Sequence, residues 1–165
     1  MRIAVQEDLE DLKVLFTEST EYANQVGHID RPQTFGNEYF TPLIEASELH
    51  CFDTGDRVAG IARLTEIDPP PTIWEDTENK YLYVGKLATS NLVRNTQFLP
   101  TVMLPDIADE AKQREKIGLI LSCLADNQKL IDFYSLLGFN NVGMAEILSS
   151  FYKKRISVTK FELEV

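Results

Sequence analysis

The sequence predicts an α+β fold, in which helices pack on one mixed sheet. Three observations predict it. The chain has 165 residues, of which 44% are hydrophobic and 25% charged, so it can bury one core of its own. Strand-like and helix-like apolar patterns alternate along it in an irregular order. The run from Ile117 to Leu124 is almost continuously apolar, which suits a strand buried on both faces. We therefore predict a single domain over residues 1–165.

The first half of the chain is predicted to hold three strands and two helices. Leu9, Leu12 and Phe16 recur at three- and four-residue steps, the spacing of one helical face. The tetrapeptide Asp53-Thr54-Gly55-Asp56 carries turn residues between two apolar segments and predicts a hairpin. The predicted elements are a strand at Arg2–Val5, a helix that begins at Gln6, a short helix at about Asn37–Ala46, and two strands at Glu48–Phe52 and Arg57–Ile67.

The second half is predicted to hold four strands and two helices. Pro100 and Pro105 are expected to interrupt the first turns of the earlier helix. Asp126 or Asn127 is expected to cap the later one, and Gly138 suits its left-handed end. The predicted elements are a strand at Tyr81–Thr89, a helix at Asp106–Lys116, a strand at Ile117–Leu124, a helix from about Asn127, and two strands at Asn141–Ser149 and Ile156–Val165.

Charge and composition exclude several classes of function. The net charge is −10 at pH 7, which argues against binding nucleic-acid phosphates or an anionic membrane. No stretch approaches the ~18 consecutive apolar residues of a membrane span, so a cytoplasmic location is expected. Cys51 and Cys123 lack ligand spacing and only two histidines exist, so no metal site is expected.

The segment from Ala125 to Phe139 carries the most specific motif. It reads ADNQKLIDFYSLLGF, and it combines a helix cap, an amphipathic stripe and a glycine stop. This segment resembles the "ADN…L..FY..LGF" signature of the GNAT superfamily of N-acetyltransferases. The strand Tyr81–Thr89 resembles the family's strand that precedes the cofactor loop, and the order of elements is similar over the whole chain.

The resemblance implies a mostly antiparallel sheet with one splayed parallel pair, here Tyr81–Thr89 and Ile117–Leu124. It also implies acetyl-CoA as the acyl donor, with the pantetheine arm between these strands and Leu87, Ala88 and Thr89 at the cofactor. An amide near Ala88 would hold the thioester carbonyl and stabilise the oxyanion.

The late motif implies further site residues. Tyr134 matches the family's tyrosine, which can protonate the departing thiolate, and Asn127 and Phe133 would contact the cofactor. The residues alone leave other interpretations open. Tyr134 lies on an apolar helical stripe and can be a core residue, and Asn127 can act only as a helix cap.

The phosphate loop departs from the family pattern, Arg/Gln-x-x-Gly-x-Gly/Ala. Arg94 matches, but Gln97 and Leu99 stand where glycine or alanine lets the backbone approach the phosphates. Pro100 then removes one amide donor. The predicted cofactor-binding loop is therefore degenerate, and it consists of Arg94, Asn95, Thr96, Gln97, Phe98 and Leu99.

No general base is evident on the strand Tyr81–Thr89, which lacks Asp and Glu. An acceptor ammonium must lose a proton before it attacks. Glu66, at the end of the preceding strand, is the first candidate and Asp126 the second; both can also be exposed charges. Lys86 is expected to face solvent.

We therefore predict an N-acyltransferase that moves an acetyl group from acetyl-CoA to a primary amine by direct attack. The alternative is a catalytically silent GNAT-like module that binds or regulates. The acceptor would be a small molecule or peptide, with a cationic one favoured by the acidic chain. The segments Gln25–Thr41 and Asp68–Asn79 would shape its site. The resemblance also admits a homodimer, since many relatives pair through sheet edges or helices.

Overall fold

The computed structural model describes residues 1–25, 35–66, 74, 76, 78–149 and 154–165. The strands are β1 (Arg2–Ile3), β2 (Leu49–Thr54), β3 (Arg57–Thr65), β4 (Tyr81–Thr89), β5 (Gly118–Leu124), β6 (Asn140–Ser149) and β7 (Lys154–Glu164). The helices are α1 (Leu9–Gln25), α2 (Asn37–Glu45), α3 (Leu104–Gln113) and α4 (Gln128–Leu136), with a 3₁₀ turn at Gln6–Asp8 and a π-helical turn at Leu99–Met103.

The seven strands form one sheet in the order β1-β2-β3-β4-β5-β7-β6. Strands β4 and β5 are parallel, whereas β1/β2, β2/β3, β5/β7 and β6/β7 are antiparallel. The mixed, mostly antiparallel α+β architecture is thus confirmed, together with its one parallel pair.

The described chain divides into two compact units. The first comprises Met1–Leu64 and Gly85–Ile107. Its core lies where α1, α2 and the π-helical turn cover the strands, and Leu12, Phe40 and Met103 are fully buried there. Of the stripe predicted for α1, Leu12 is buried and Leu9 is half-buried. Leu15 and Thr20 are the other buried residues of this helix.

The second unit comprises Thr65–Val84 and Ala108–Val165. Leu82, Leu119 and Phe161 are fully buried in it, and the strand β5 is buried along most of its length, as its apolar run predicts. The single-domain organisation stays a prediction.

The predicted elements match the observed ones closely. Strand β4 has the predicted bounds, and α2 ends one residue earlier than predicted. The hairpin turn is confirmed, with Thr54 opposite Arg57 and Gly55 at φ +62°. Of the two segments expected to shape the acceptor site, residues 26–34, 67–73, 75 and 77 lie outside the described part.

The expectation that Pro100 and Pro105 interrupt the helix is wrong. Helical backbone runs from Phe98 to Gln113, with Pro100 at its first turn, where an amide has no partner in any case. The π-helical turn Leu99–Met103 ends two residues before Pro105. In a π-helical turn each hydrogen bond spans five residues instead of four. The helix can therefore continue past Pro105, which has no amide proton to donate.

A carboxylate network ties the amino-terminal strand to the hairpin. Asp8 is buried and accepts two hydrogen bonds from Arg2, at 2.7 and 2.8 Å, and one from the amide of Val5 at 2.8 Å. Arg2 also pairs with Asp53 at 2.7 Å. The bonds from Arg2 lower the pKa of Asp8, and burial beside this carboxylate raises the pKa of the Cys51 thiol to about 12. Cys51 itself is fully buried.

Replacing Asp8→Asn is expected to lower the free energy of unfolding by about 1.5–3 kcal/mol at pH 7, because the bonds lost are charge-assisted. The folded pKa of Asp8 is below the unfolded value, so its contribution is present above that value and is lost as pH falls through the folded pKa. Urea unfolding of wild type and variant between pH 3 and pH 7 should therefore show the difference shrink towards low pH. Asp56→Asn, in the exposed turn, is the control. An equal loss in both variants would contradict the role given to Asp8.

Candidate active site

The parallel strand pair opens after three residues. Tyr81, Leu82 and Tyr83 of β4 pair with the first three residues of β5. Within the described chain the rest of the two strands makes no further ladder. The parallel pairing is thus limited to these three residues of each strand.

The predicted cofactor residues Leu87, Ala88 and Thr89 form the end of β4. Ala88 is buried, and Leu87 and Thr89 are half-buried. The amide of Ser90, the next residue, donates to the carbonyl of Ala59 on β3 at 2.8 Å. This bond fixes the position at which the chain leaves the sheet and enters the predicted phosphate loop.

Three backbone amides of that loop, and the Asn91 amide shortly before it, have partners within the first unit. The Asn91 amide donates to the Glu18 carboxylate at 2.8 Å and the Arg94 amide to the Ser90 carbonyl at 3.0 Å. The Thr96 amide donates to the Val93 carbonyl at 3.2 Å, and the Phe98 amide to the Thr96 hydroxyl at 3.1 Å. In a phosphate-binding loop such amides point at the anion. Here several of them are engaged in the loop's own turns.

Arg94, the one loop residue that matches the family pattern, is held against α1. Its guanidinium lies 4.5 Å from the centroid of the Tyr22 ring and donates to the Thr89 carbonyl at 3.2 Å and to the side chain of Asn91. Asn95 follows in the left-handed region at φ +63°, a conformation that asparagine tolerates better than most residues. The loop is thus a closed turn stabilised by its own side chains.

The residues after the loop pack inward rather than outward. An added Cβ on Gly60 of β3 would lie 2.6 Å from the Met103 sulfur and 3.2 Å from the Phe98 ring. Glycine at this position therefore lets the start of the helix pack directly on the sheet. Gln97 is exposed and Leu99 is half-buried, so both add bulk at the predicted phosphate position, where the family pattern has small residues.

Asn127 caps α4. Its side-chain oxygen accepts from the Leu130 amide at 3.1 Å, which confirms the capping interpretation. The cofactor contact predicted for Asn127 stays a prediction. At the other end of α4, Gly138 adopts φ +91°, as predicted for the left-handed residue that ends a helix.

Tyr134 lies in an aromatic cluster of the second unit. It is 8% exposed, and its ring centroid lies 5.5 Å from that of Phe161, 5.8 Å from that of Phe139 and 5.9 Å from that of Phe133. The core interpretation of its ring is confirmed. Such packing fixes the ring of a phenol that also carries a proton-bearing oxygen, and its role as general acid stays a prediction.

The two carboxylates considered as general base differ in their surroundings. Glu66 pairs with Lys116 at 2.8 Å and with Arg114 at 3.6 Å. The bond from Lys116 lowers the pKa of Glu66, which makes its carboxylate a weaker proton acceptor. The role of Glu66 as the base stays a prediction. Asp126 lies in the turn between β5 and α4.

Sequence reasoning missed Lys86. It is half-buried rather than solvent-facing, and its ammonium nitrogen lies 2.5 Å from the hydroxyl of Tyr39 on α2 and 4.0 Å from that ring's centroid. Burial lowers its pKa to about 8, with the charge of Arg63 as a second cause. A signal was present in the sequence, because Lys86 is the only charged residue in the strand YLYVGKLAT.

The described residues also bear on a metal site and on membrane spans. No group of three or more His, Cys, Asp or Glu side chains there could hold a metal ion. No helix there has the length and hydropathy needed to cross a membrane.

The chain has the fold of the GNAT acetyltransferases. A GNAT-family acetyltransferase from Listeria monocytogenes is similar over 99% of this chain and 93% of its own, with a TM-score of 0.76 and 16% identity. A ribosomal-protein-alanine N-acetyltransferase from Brucella melitensis is similar over 99% and 98%, with a TM-score of 0.72 and 16% identity.

A third similar structure contains a cofactor. The Salmonella typhimurium protein yncA, solved with acetyl-CoA, is similar over 99% of this chain and 91% of its own, with a TM-score of 0.70 and 14% identity. No family model matches the chain, and no curated protein matches its sequence. The similarity is thus one of fold, which the sequence motifs alone had indicated.

Proposed function

We propose that this protein belongs to the GNAT superfamily and transfers an acetyl group from acetyl-CoA to a primary amine. The observation that carries the proposal is the parallel pair β4/β5, which opens after Tyr83 and Ile120 in a sheet with the strand order and fold of acetyltransferases. In the proposed reaction the amine attacks directly, without a covalent enzyme intermediate.

The end of β4 suits acetyl-CoA better than the predicted phosphate loop does. In this proposal the end of β4, at Leu87, Ala88 and Thr89, supplies the backbone groups that bind the pantetheine arm. The loop from Arg94 to Leu99 offers less to the pyrophosphate, because several of its amides are bonded internally. We infer that binding depends mainly on the strand edge, with further contacts from Asn127 and Phe133 of the late motif.

Bound acetyl-CoA would supply the acetyl group as a reactive thioester. The Ala88 amide would donate to the carbonyl oxygen, where negative charge develops as the amine attacks. Tyr134 would hold a phenol proton for the leaving sulfur, and its ordinary pKa near ~10 is close to that of a thiol. Both groups belong to elements whose packing fixes their orientation, namely β4 and α4.

The acceptor and the assembly are also part of the proposal. A cationic amine suits a chain with a net charge of −10, and a homodimer is proposed on the resemblance alone. The comparisons do not favour a catalytically silent module, because similar structures with a named activity are acetyltransferases.

Acetyl transfer is tested by incubating the protein with acetyl-CoA and a panel of amines, from polyamines to peptides with free amino termini. We expect free CoA thiol to appear only when an amine is present, in equal amount to acetylated amine detected by mass spectrometry. The protein itself should gain no acetyl group, because attack is direct. Thiol release without any acceptor, or no release with every amine at saturating acetyl-CoA, would refute the proposal.

A further inference from the structure

The proposed reaction needs a proton acceptor, and neither candidate carboxylate among the described residues is an evident one, because Glu66 is paired and Asp126 is exposed. An amine attacks only after its ammonium form has lost a proton. Strand β4 contains no Asp or Glu, and Glu66 is engaged by Lys116 and Arg114. A different basic group must therefore be sought near the end of β4.

Lys86 is the basic group that β4 itself carries. It lies two residues before Ala88, whose amide is the proposed oxyanion donor. Its nitrogen is fixed by the Tyr39 hydroxyl at 2.5 Å, and Tyr39 in turn packs in an aromatic cluster, with ring centroids 4.8 Å from Phe35 and 5.0 Å from Phe40. A flexible four-carbon side chain is thereby held in one place.

The backbone of Lys86 is also unusual. Its φ is +48°, in the left-handed region that costs a residue with a Cβ about 1 kcal/mol or more. The neighbouring residue Gly85, in contrast, has no left-handed φ. A strained conformation at a lysine inside a strand persists only when surrounding contacts impose it, and such positions cluster at functional sites.

The charges around Lys86 do not neutralise it. In the described part of the chain, the titratable groups that face it are Tyr39 from α2 and Arg63 from β3. Arg63 is itself paired with Glu48 of the neighbouring segment, at 2.7 Å. No carboxylate among the described residues lies within ion-pair distance of the Lys86 nitrogen. A half-buried ammonium beside a second cation loses its proton more readily than an exposed one.

The lowered pKa increases the fraction of molecules in which Lys86 is uncharged. With its pKa lowered to about 8, Lys86 would be uncharged in about 10% of molecules at pH 7, against about 0.03% for an ordinary lysine. That is roughly a 300-fold larger population of the form that can accept a proton.

We propose that Lys86, held in place by the hydroxyl of Tyr39, is the proton acceptor for the amine substrate. This inference rests on the proposed acetyl transfer. One proton passes from the acceptor's ammonium to the uncharged Lys86 nitrogen, and the electron pair of the broken N–H bond remains on the acceptor as the lone pair that attacks. Lys86 becomes an ammonium and then returns the proton to water. Tyr39 is a positioning residue in this scheme.

The acid–base property is tested on the protein alone. Lysine labelled with ¹³C at Cε gives one NMR signal for each side chain, and the signal absent from Lys86→Arg identifies Lys86. Its titration midpoint is expected near pH 8, whereas the exposed Lys80, whose pKa is raised by Glu78, serves as the internal control. A midpoint for Lys86 at the ordinary value of about 10.4 would overturn the proposal.

The catalytic role is tested by two substitutions that separate basicity from charge. Lys86→Gln and Lys86→Arg are both expected to lower kcat/KM by at least about 100-fold, because neither side chain accepts a proton at neutral pH. Wild-type kcat/KM should rise with pH to a plateau above about pH 8. This rise in kcat/KM should be absent from both variants. Lys80→Arg, just before β4, is the matched control and should retain wild-type rates.

Other outcomes discriminate between this inference and the proposed function. Wild-type transfer together with an active Lys86→Arg variant would show that only the charge matters, which overturns the role as base. Wild-type protein that transfers acetyl to no amine overturns the proposed function instead. Tyr39→Phe keeps the ring and removes only the hydroxyl that accepts from the Lys86 nitrogen. It should lower kcat less than Lys86→Gln does, with little change in KM, and should keep the rise of the rate with pH. A change in KM alone would overturn the positioning role of Tyr39.

Discussion

Calorimetric titration of the unaltered protein with acetyl-CoA is expected to give a dissociation constant well above the micromolar range. Gln97 and Leu99 place bulk at the predicted phosphate position, and the amides of Asn91, Arg94 and Thr96 are already bonded within the first unit. Each charge-assisted hydrogen bond that the pyrophosphate lacks would cost ~1.5–3 kcal/mol. Two such losses weaken binding by roughly two to four orders of magnitude.

The double substitution Gln97→Gly with Leu99→Gly is expected to tighten acetyl-CoA binding at least about tenfold. Glycine removes the bulk and allows backbone conformations in which the amides turn outward. Two glycines near the start of a helix will lower stability by ~1–2 kcal/mol. Leu92→Gly is the control, because Leu92 is 65% exposed just before the loop and a glycine there adds flexibility away from the two family positions.

Three results would contradict this account of the loop. Micromolar or tighter binding by the unaltered protein would show that the loop reaches the phosphates in its present form. Equal tightening by Leu92→Gly would attribute the gain to flexibility alone. No binding before or after repair would favour the silent module over the transferase.

Tyr134→Phe is expected to lower kcat by about 100-fold and to leave the dissociation constant of acetyl-CoA nearly unchanged. The departing sulfur needs a proton only as the bond to carbon breaks, so loss of the hydroxyl affects the transition state and not binding. The aromatic ring that packs against Phe139 and Phe161 is retained. Steady-state kinetics with calorimetry on the same variant separates the two quantities.

Tyr81→Phe is the control for this substitution. Tyr81 lies in the same unit, at the start of β4, and contacts Gly118 with its ring. Removing its hydroxyl should leave kcat unchanged. An unchanged kcat in Tyr134→Phe as well would reassign Tyr134 to packing or make water the acid, whereas a raised dissociation constant would give it a binding role.

The late motif shows how much local sequence determines. Three local features define this helix. An asparagine caps an amide three residues later, an apolar stripe follows, and a glycine with positive φ ends the helix. Asn127 and Gly138 were therefore assigned correctly from sequence alone. The same holds for the Gly55 turn and for β4, because alternation and turn chemistry act between close neighbours along the chain.

Local rules were insufficient where a longer-range contact altered their outcome. Pro100 and Pro105 predict a broken helix, yet the π-helical turn and the packing of Met103 against Gly60 keep it continuous. Glu66 is a candidate base by its position in the sequence, but its ion pair with Lys116, fifty positions later, could not be predicted from the sequence. These interactions come from side chains that are distant in sequence, so no local sequence pattern predicts them.

The sequence by itself thus determined the elements, their order and the family-like motifs, since caps, turns and hydrophobic periodicity are properties of neighbouring residues. Only the tertiary structure decided the protonation chemistry of the candidate site. Burial lowers the pKa of Lys86, and the charge of Arg63 on the adjacent strand lowers it further. The hydroxyl of Tyr39, 47 residues away along the chain, accepts a hydrogen bond from the Lys86 nitrogen. A pKa depends on solvent exclusion and on charges brought close in space, and these exist only once the chain has folded.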